Sequence, residues 1–253
     1  MIELENLCFS YDKTTFLSDI TANFKKGKFY GIIGPNGCGK TTLLKLISNI
    51  LSPLSGNIII DGKSISDYKR IEFAKKVAVM PQVRQIPDMT VYDFVACGRF
   101  PYLDLSRRLR ENDKLKIEEA LKITDTVNFK DKNIKNLSGG ERQRAYIAML
   151  YAQDTEYILC DEPTTFLDIG YSLSVTSLLK RLSNENKCVI AILHDISSAL
   201  KFCDEILVIN EGKAVCFDRP ESIVSSGILT EVFGVSSKLV ESEGNIDYIF
   251  NIT

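Results

Sequence analysis

Phe29-Tyr30-Gly31-Ile32-Ile33-Gly34-Pro35-Asn36-Gly37-Cys38-Gly39-Lys40-Thr41-Thr42 decides the fold. An apolar run, Phe29 to Ile33, reads as a strand. The glycine-rich stretch after it satisfies Gly-x4-Gly-Lys-[Ser/Thr] at Gly34 to Thr41, and a helix is expected from about Lys40 to Ile50. A strand feeding such a loop into a helix is what phosphate binding requires. The glycines let backbone N–H groups wrap the phosphates, Lys40 reaches the terminal ones, and Thr41 offers a hydroxyl to Mg²⁺. Gly34, Pro35, Asn36, Gly37, Cys38, Gly39, Lys40, Thr41 and Thr42 are therefore the candidate nucleotide-binding residues. The bland alternative is a glycine-rich strand-to-helix turn.

Outward from this loop the chain alternates. Ile2 to Cys8, Leu17 to Phe24 and Gly56 to Ile60 read as strands, with Asp12-Lys13, Lys26-Gly27 and Asp61-Gly62 as turns. Val77 to Met80 is a short apolar strand ending at Pro81-Gln82. From Val83 to about Gln153 the texture is mostly helical. Apolar strands return at Tyr157 to Cys160, Lys187 to Leu193 and Glu205 to Ile209, separated by helical stretches at 170–183 and 196–202. Strand–helix alternation of this kind predicts a parallel sheet covered on both faces.

Three strand ends carry chemistry. Tyr157 to Cys160 is followed by Asp161-Glu162. At the carboxyl end of a parallel strand, Asp161 can hold hydrated Mg²⁺ and Glu162 can polarise an attacking water. His194, the only histidine, directly follows Val189 to Leu193, where a side chain can reach a γ-phosphate. Gln82 ends its own strand, and its amide can contact Mg²⁺ or its water. Alone, a lone histidine or glutamine is more often structural or merely exposed.

Leu137-Ser138-Gly139-Gly140-Glu141-Arg142-Gln143-Arg144 is the second informative stretch. Ser138 and Glu141 have capping-box spacing, and Ala145, Ala148, Met149 and Ala152 continue at helical spacing. The two glycines are unusual in a first helical turn, where each costs about 1 kcal/mol relative to Ala. They suit a helix start that presents bare N–H groups to an anion.

Composition bounds the rest. The 253 residues are 45% hydrophobic and 25% charged, an ordinary globular profile of one domain with an insertion or two small ones. A net charge of −2 gives no basic field for nucleic acid. Cysteines at 8, 38, 97, 160, 188, 203 and 216 form no Cys-x-x-Cys pair, which fits a reduced cytosolic setting. The start, Met1-Ile2-Glu3-Leu4-Glu5, lacks the layout of a signal peptide. No apolar run approaches the length of a membrane span, so a membrane role is expected to come through a partner.

Together these pieces resemble the ATP-binding subunits of ABC transporters over essentially the whole chain. The matching segments are the Walker A loop at 34–42, the glutamine loop at Gln82, the signature at 137–144, the Walker B pair Asp161-Glu162, the D-loop around Leu167-Asp168 and the switch His194. Tyr11, in Phe9-Ser10-Tyr11, matches the aromatic that stacks on adenine. The resemblance implies an α/β fold, a P-loop NTPase (RecA-like) core with an N-terminal antiparallel β layer and an inserted helical subdomain. The core is expected at 1–82 and 156–253, the helical subdomain at 83–155. Three stretches, 90–102, 163–169 and 229–235, are similar to those of importers of iron–siderophores, haem and cobalamin.

The resemblance also implies partners. Two ATPase subunits would pack head to tail as a homodimer, each ATP lying on one chain's Walker A loop and against Ser138, Gly139 and Gly140 of the other. An integral membrane permease would dock on the glutamine loop and the helical segment after it. An extracytoplasmic substrate-binding protein would complete the system, placing this chain at the cytoplasmic face. Arg84, Arg99, Arg107, Arg108 and Arg110 lie in the permease-facing stretch, and individually most read as a solvated helical face. The alternative is a soluble ABC ATPase of the iron–sulfur assembly type.

Overall fold

The computed structural model describes residues 1–12, 15–82, 85–104, 108–242 and 245–252. Lys13 of the expected turn, Val83 at the expected start of the helical stretch, and Arg84 and Arg107 lie outside the described residues. The elements, in chain order, are β1 (Ile2–Ser10), β2 (Thr15–Phe24), β3 (Phe29–Ile33), α1 (Lys40–Ile47), β4 (Ser55–Ile60), β5 (Lys63–Ser64), α2 (Arg70–Ala74), β6 (Val77–Met80), α3 (Val91–Ala96), α4 (Glu111–Ile123), α5 (Gly139–Ala152), β7 (Tyr157–Asp161), α6 (Ile169–Asn184), β8 (Cys188–Ile192), α7 (Ile196–Phe202), β9 (Glu205–Asn210), β10 (Lys213–Asp218), α8 (Pro220–Ser225), α9 (Ile228–Phe233), β11 (Val235–Ser242) and β12 (Asn245–Ile252). Short 3₁₀ turns join several of them. The chain forms two compact units, Met1–Tyr68 with Lys180–Thr253, and Lys69–Leu179, and the boundary falls within α6.

The first unit holds the antiparallel layer, in the order β2-β1-β4-β5. Its register against β2 shifts between Leu4 and Leu7 and again between Leu7 and Phe9. Asn6 sits at the first shift and Asp19 at the second, with left-handed φ of 47° and 53°. The Asn6 amide donates to Asp19 Oδ1 at 2.7 Å. Short polar side chains tolerate this conformation and bond locally, so the bulge is placed where Asn and Asp stand. The shift keeps Leu4, Leu7 and Phe9 buried despite the break in alternation.

The same unit carries strands in the order β10-β9-β3-β8. β3 is parallel to both β8 and β9, and β10 is antiparallel to β9. β3 and β8 are buried at every residue, the pattern of parallel strands covered on both faces. A two-stranded hairpin, β11 with β12, ends the chain. Strands β10, β11 and β12 were not among the expected elements. β10 holds only a short apolar run, Ala214 to Phe217, close behind β9, and β11 and β12 mix polar residues among their apolar ones, a weaker signal than the buried apolar runs.

In the second unit β6 runs parallel to β7, and the helices α3, α4 and α5 fall within the stretch expected to be helical, joined by 3₁₀ turns and irregular segments that the expectation did not include. Arg99 departs from the expectation of a solvated or permease-facing arginine: it is 2% exposed. Its Nε donates to Asp113 Oδ1 at 2.9 Å and its Nη1 to the Ala152 carbonyl at 2.8 Å. Its guanidinium stacks over the Tyr102 ring at 4.0 Å. Asp113 also accepts the Arg110 backbone N–H at 3.0 Å, capping α4. One buried ion pair thus ties the start of α4 to the end of α5, where a terminal carbonyl needs a donor. Arg99→Met is expected to destabilise the chain by about 3–5 kcal/mol, because Asp113 is left charged and buried. Chemical denaturation measures this, and adding Asp113→Leu is expected to recover part of the loss. Of the other arginines, Arg108 and Arg110 are exposed, and Arg110 pairs with Asp104 at 3.0 Å.

Candidate functional site

The loop between β3 and α1 is shaped by what lies behind it. A Cβ on Gly34 would stand 2.1 Å from the Ile209 carbonyl oxygen, and one on Gly39 2.4 Å from Leu17 Cδ2. Gly39 also has φ +110°, a conformation open to glycine. Both ends of the loop therefore require glycine for packing, and Gly39 requires it for backbone direction as well. Gly39 caps α1 with no side-chain hydrogen bond, and the first turn carries no acidic residue. The helix start thus offers its N–H donors to an incoming anion. Lys40 is 6% exposed, with Nζ donating to the carbonyls of Gly34 and Pro35, each at 2.8 Å. The ammonium stays inside the loop it would serve. Burial pushes the Cys38 thiol up from its ordinary range despite the nearby Lys40, so this thiol is not an activated nucleophile.

Tyr11 lies beside the same helix start. Its hydroxyl is 3.0 Å from Thr42 Oγ1. Phe9 and Phe16 approach its ring edge-on at centroid distances of 4.8 and 5.5 Å. These contacts orient the ring, and at 56% exposure it keeps surface for a planar ligand. His194 follows β8 and is exposed. The next residue, Asp195, caps α7 by accepting the Ser197 and Ser198 N–H groups, each at 3.1 Å.

The second unit holds the carboxylates. β7 is buried throughout and delivers Asp161 at 4% exposure and Glu162 at 8%. Glu162 has φ +52°, a left-handed conformation that a non-glycine residue keeps only when its surroundings enforce it. Two donors meet on one of its oxygens: Gln82 Nε2 at 2.7 Å and Thr165 Oγ1 at 3.1 Å reach Oε2. The structure thus brings Gln82 and Glu162 together. Thr165 is a contact that sequence reading missed, since a threonine in a turn carries no pattern of its own. Asp168 accepts the Tyr171 N–H at 2.9 Å and so caps the first turn of α6.

The expected capping box is present at the start of α5. Ser138 Oγ accepts the Glu141 N–H at 3.3 Å, and Glu141 Oε2 accepts the Ser138 N–H at 2.8 Å. The bond from the Ser138 N–H holds the Glu141 carboxyl below the usual carboxylate range. The two glycines separate in role. A Cβ on Gly140 would stand 2.1 Å from Tyr171 Cδ1, whereas one on Gly139 would meet only Leu167, at 3.6 Å. Gly140 is small because Tyr171 packs against it. Gly139, exposed and unobstructed, retains the bare-backbone explanation.

Among the described residues no helix is long and apolar enough to cross a membrane. No group of three or more His, Cys, Asp or Glu among them is placed to hold a metal ion.

The family model described as ABC transporter matches residues 17–165. The chain is 36% identical over 239 residues to the ferric enterobactin transport ATP-binding protein FepC of Escherichia coli (strain K12), covering 94% of this chain and 88% of that protein. It is 38% identical over 238 residues to the petrobactin import ATP-binding protein YclP of Bacillus subtilis (strain 168), covering 93% and 94%. The solved dimeric structure of a bacterial ABC transporter cassette is similar at a TM-score of 0.74 and 29% identity, covering 87% of this chain and 99% of that one. Matched by the family model from β2 past its buried carboxylates, and by these relatives over nearly its whole length, the chain belongs to the ABC transporter family as an ATP-binding ATPase subunit.

Proposed function

We propose that this chain powers the uptake of an iron chelate of the siderophore class through a membrane permease. The observation that carries this reading is the pair of relatives named for ferric enterobactin transport and petrobactin import, each aligned over more than nine-tenths of the chain. The alternative of a soluble iron–sulfur assembly ATPase has no support from these relatives.

The residues supply the following roles. The N–H groups of the 34–39 loop and the start of α1 hold the phosphates, with Lys40 leaving its loop carbonyls for the terminal ones. Thr42 belongs to the same phosphate-binding start, and the Tyr11 ring stacks on the base. Thr41, Gln82 and Asp161 offer a hydroxyl, an amide oxygen and a single carboxylate. That is a donor set suited to Mg²⁺, which takes oxygen ligands and draws most of its charge partners from substrate phosphates. When bound, the ion neutralises charge on the phosphates. Glu162 accepts a proton from the attacking water, and His194 contacts the γ-phosphate.

Ser138, Gly139 and Gly140 act on the nucleotide held by a second copy packed head to tail, with Asp168 near that interface. The structural homologue is a dimer, which supports this reading. Residues 1–82 and 156–253 serve as the nucleotide core of the cassette, and 83–155 as its helical insert toward the permease. An extracytoplasmic binding protein would deliver the chelate, and the permease would hold the chain at the cytoplasmic face of the membrane.

The test is genetic and biochemical together. Deleting the gene is expected to abolish growth on a ferric siderophore as sole iron source, while growth on a permeant ferrous salt persists. Affinity capture of the chain from detergent-solubilised cells is expected to recover an integral membrane protein. Capture of a soluble complex instead, with unimpaired growth on every iron source, would reverse the assignment.

A further inference from the structure

We propose that Thr165 is a positioning residue for Glu162, fixing the carboxylate that serves as the base in hydrolysis. This rests on the proposed role of Glu162 above. At 8% exposure the carboxylate depends on protein donors in place of water. Gln82 and Thr165 both reach Oε2, at 2.7 and 3.1 Å.

The two donors differ in permanence. Gln82 is an exposed residue just beyond β6, eighty residues from Glu162 in sequence. Its side chain is long, and its amide has a second proposed task on Mg²⁺. Thr165 belongs to the same turn as Glu162: its backbone N–H donates to the Glu162 carbonyl at 3.4 Å. One residue thus closes the turn through its backbone and aims the carboxylate through its hydroxyl. Its β-branch restricts χ1, so little rotamer freedom remains to be lost. Glu162 at φ +52° is a residue whose orientation must be enforced by neighbours. Thr165 does so from within the turn, whatever Gln82 is engaged with.

The experiment is steady-state ATP hydrolysis by purified full-length protein, with fluorescent-nucleotide titration and thermal unfolding alongside. Thr165→Val is expected to lower kcat about tenfold, the worth of one hydrogen bond to a charged group. KM and nucleotide affinity are expected to stay near wild type, and the melting temperature to fall by no more than a few degrees. Thr165→Ser is expected to recover most of the lost rate, because it restores the hydroxyl. In a Glu162→Gln background, Thr165→Val is expected to add no further loss, since the two act as a unit. If Val at 165 prevents folding, Thr165→Ala serves in its place. Wild-type turnover in Thr165→Val overturns the proposal. So does a Thr165→Ser variant as slow as Thr165→Val, or a full multiplicative loss in the Glu162→Gln background. A fully active Glu162→Gln alone overturns the base assignment underneath it, and is seen separately.

Discussion

Glu162→Gln is expected to lower the rate of ATP hydrolysis by 10²–10⁴-fold, roughly the contribution of a positioned general base, while ATP affinity stays near wild type. The substitution is close to isosteric. A glutamine carbonyl oxygen can still accept the bonds from Gln82 and Thr165 that now end on Oε2. The turn and the left-handed backbone at 162 should therefore survive, and chemical denaturation should find stability within about 1 kcal/mol of wild type. What is lost is the proton acceptor. With nucleotide bound and not consumed, the head-to-tail dimer should persist in ATP and dissociate when ATP is removed, as read by size-exclusion chromatography. Turnover at the wild-type rate would take Glu162 out of the base role.

Ser138 gives the second large effect. Its hydroxyl accepts the Glu141 N–H at 3.3 Å, and a hydroxyl can accept and donate at once. Its proton therefore remains available for a phosphate oxygen while it caps α5. Two variants separate these functions. Ser138→Ala removes the cap and should cost about 1 kcal/mol of stability. Ser138→Asp keeps a good cap but sets a negative charge against the γ-phosphate, so stability should hold. Both should bind ATP on their own Walker A loop and hydrolyse it poorly. Aspartate should be the slower of the two by at least about tenfold, since like charges oppose closure.

Mixing tests whether the site is shared. Lys40→Ala and Ser138→Asp are each expected to be inactive alone. In a head-to-tail dimer of the two, the intact Walker A loop of one chain meets the intact signature of the other. A 1:1 mixture with random pairing should regain about a quarter of wild-type activity, from one working site in half of the dimers. A site contained within one chain would regain none.

Much of this site can be read in the sequence because its parts are local. The phosphate loop needs glycine, lysine and threonine at fixed spacing between a strand and a helix. The capping box needs only Ser138 and Glu141 three residues apart, and it is formed as expected. The buried strands announce themselves as apolar runs, which is why β3, β7 and β8 were legible while β11 and β12, with polar residues throughout, were not. The order of catalytic motifs, the α/β class and the family follow from these local signals.

Tertiary structure decided what depends on distant partners. Arg99 lies in a stretch whose charge reads as solvated surface, yet Asp113, Tyr102 and the Ala152 carbonyl enclose it. No short-range pattern reveals that three helical segments converge there. Gly140 shares the local pattern of its neighbour Gly139, but the Tyr171 ring stands where its side chain would be. Glu162 was recognisable as a carboxylate at a strand end, but its orientation comes from Gln82, eighty residues away, and from a turn that folds Thr165 back onto it. Spacing along the chain sets which backbone groups are presented, because helices and turns close within a few residues. Which side chains are buried, and which oxygen of a carboxylate is held, depends on segments brought together only when the sheet and helices pack.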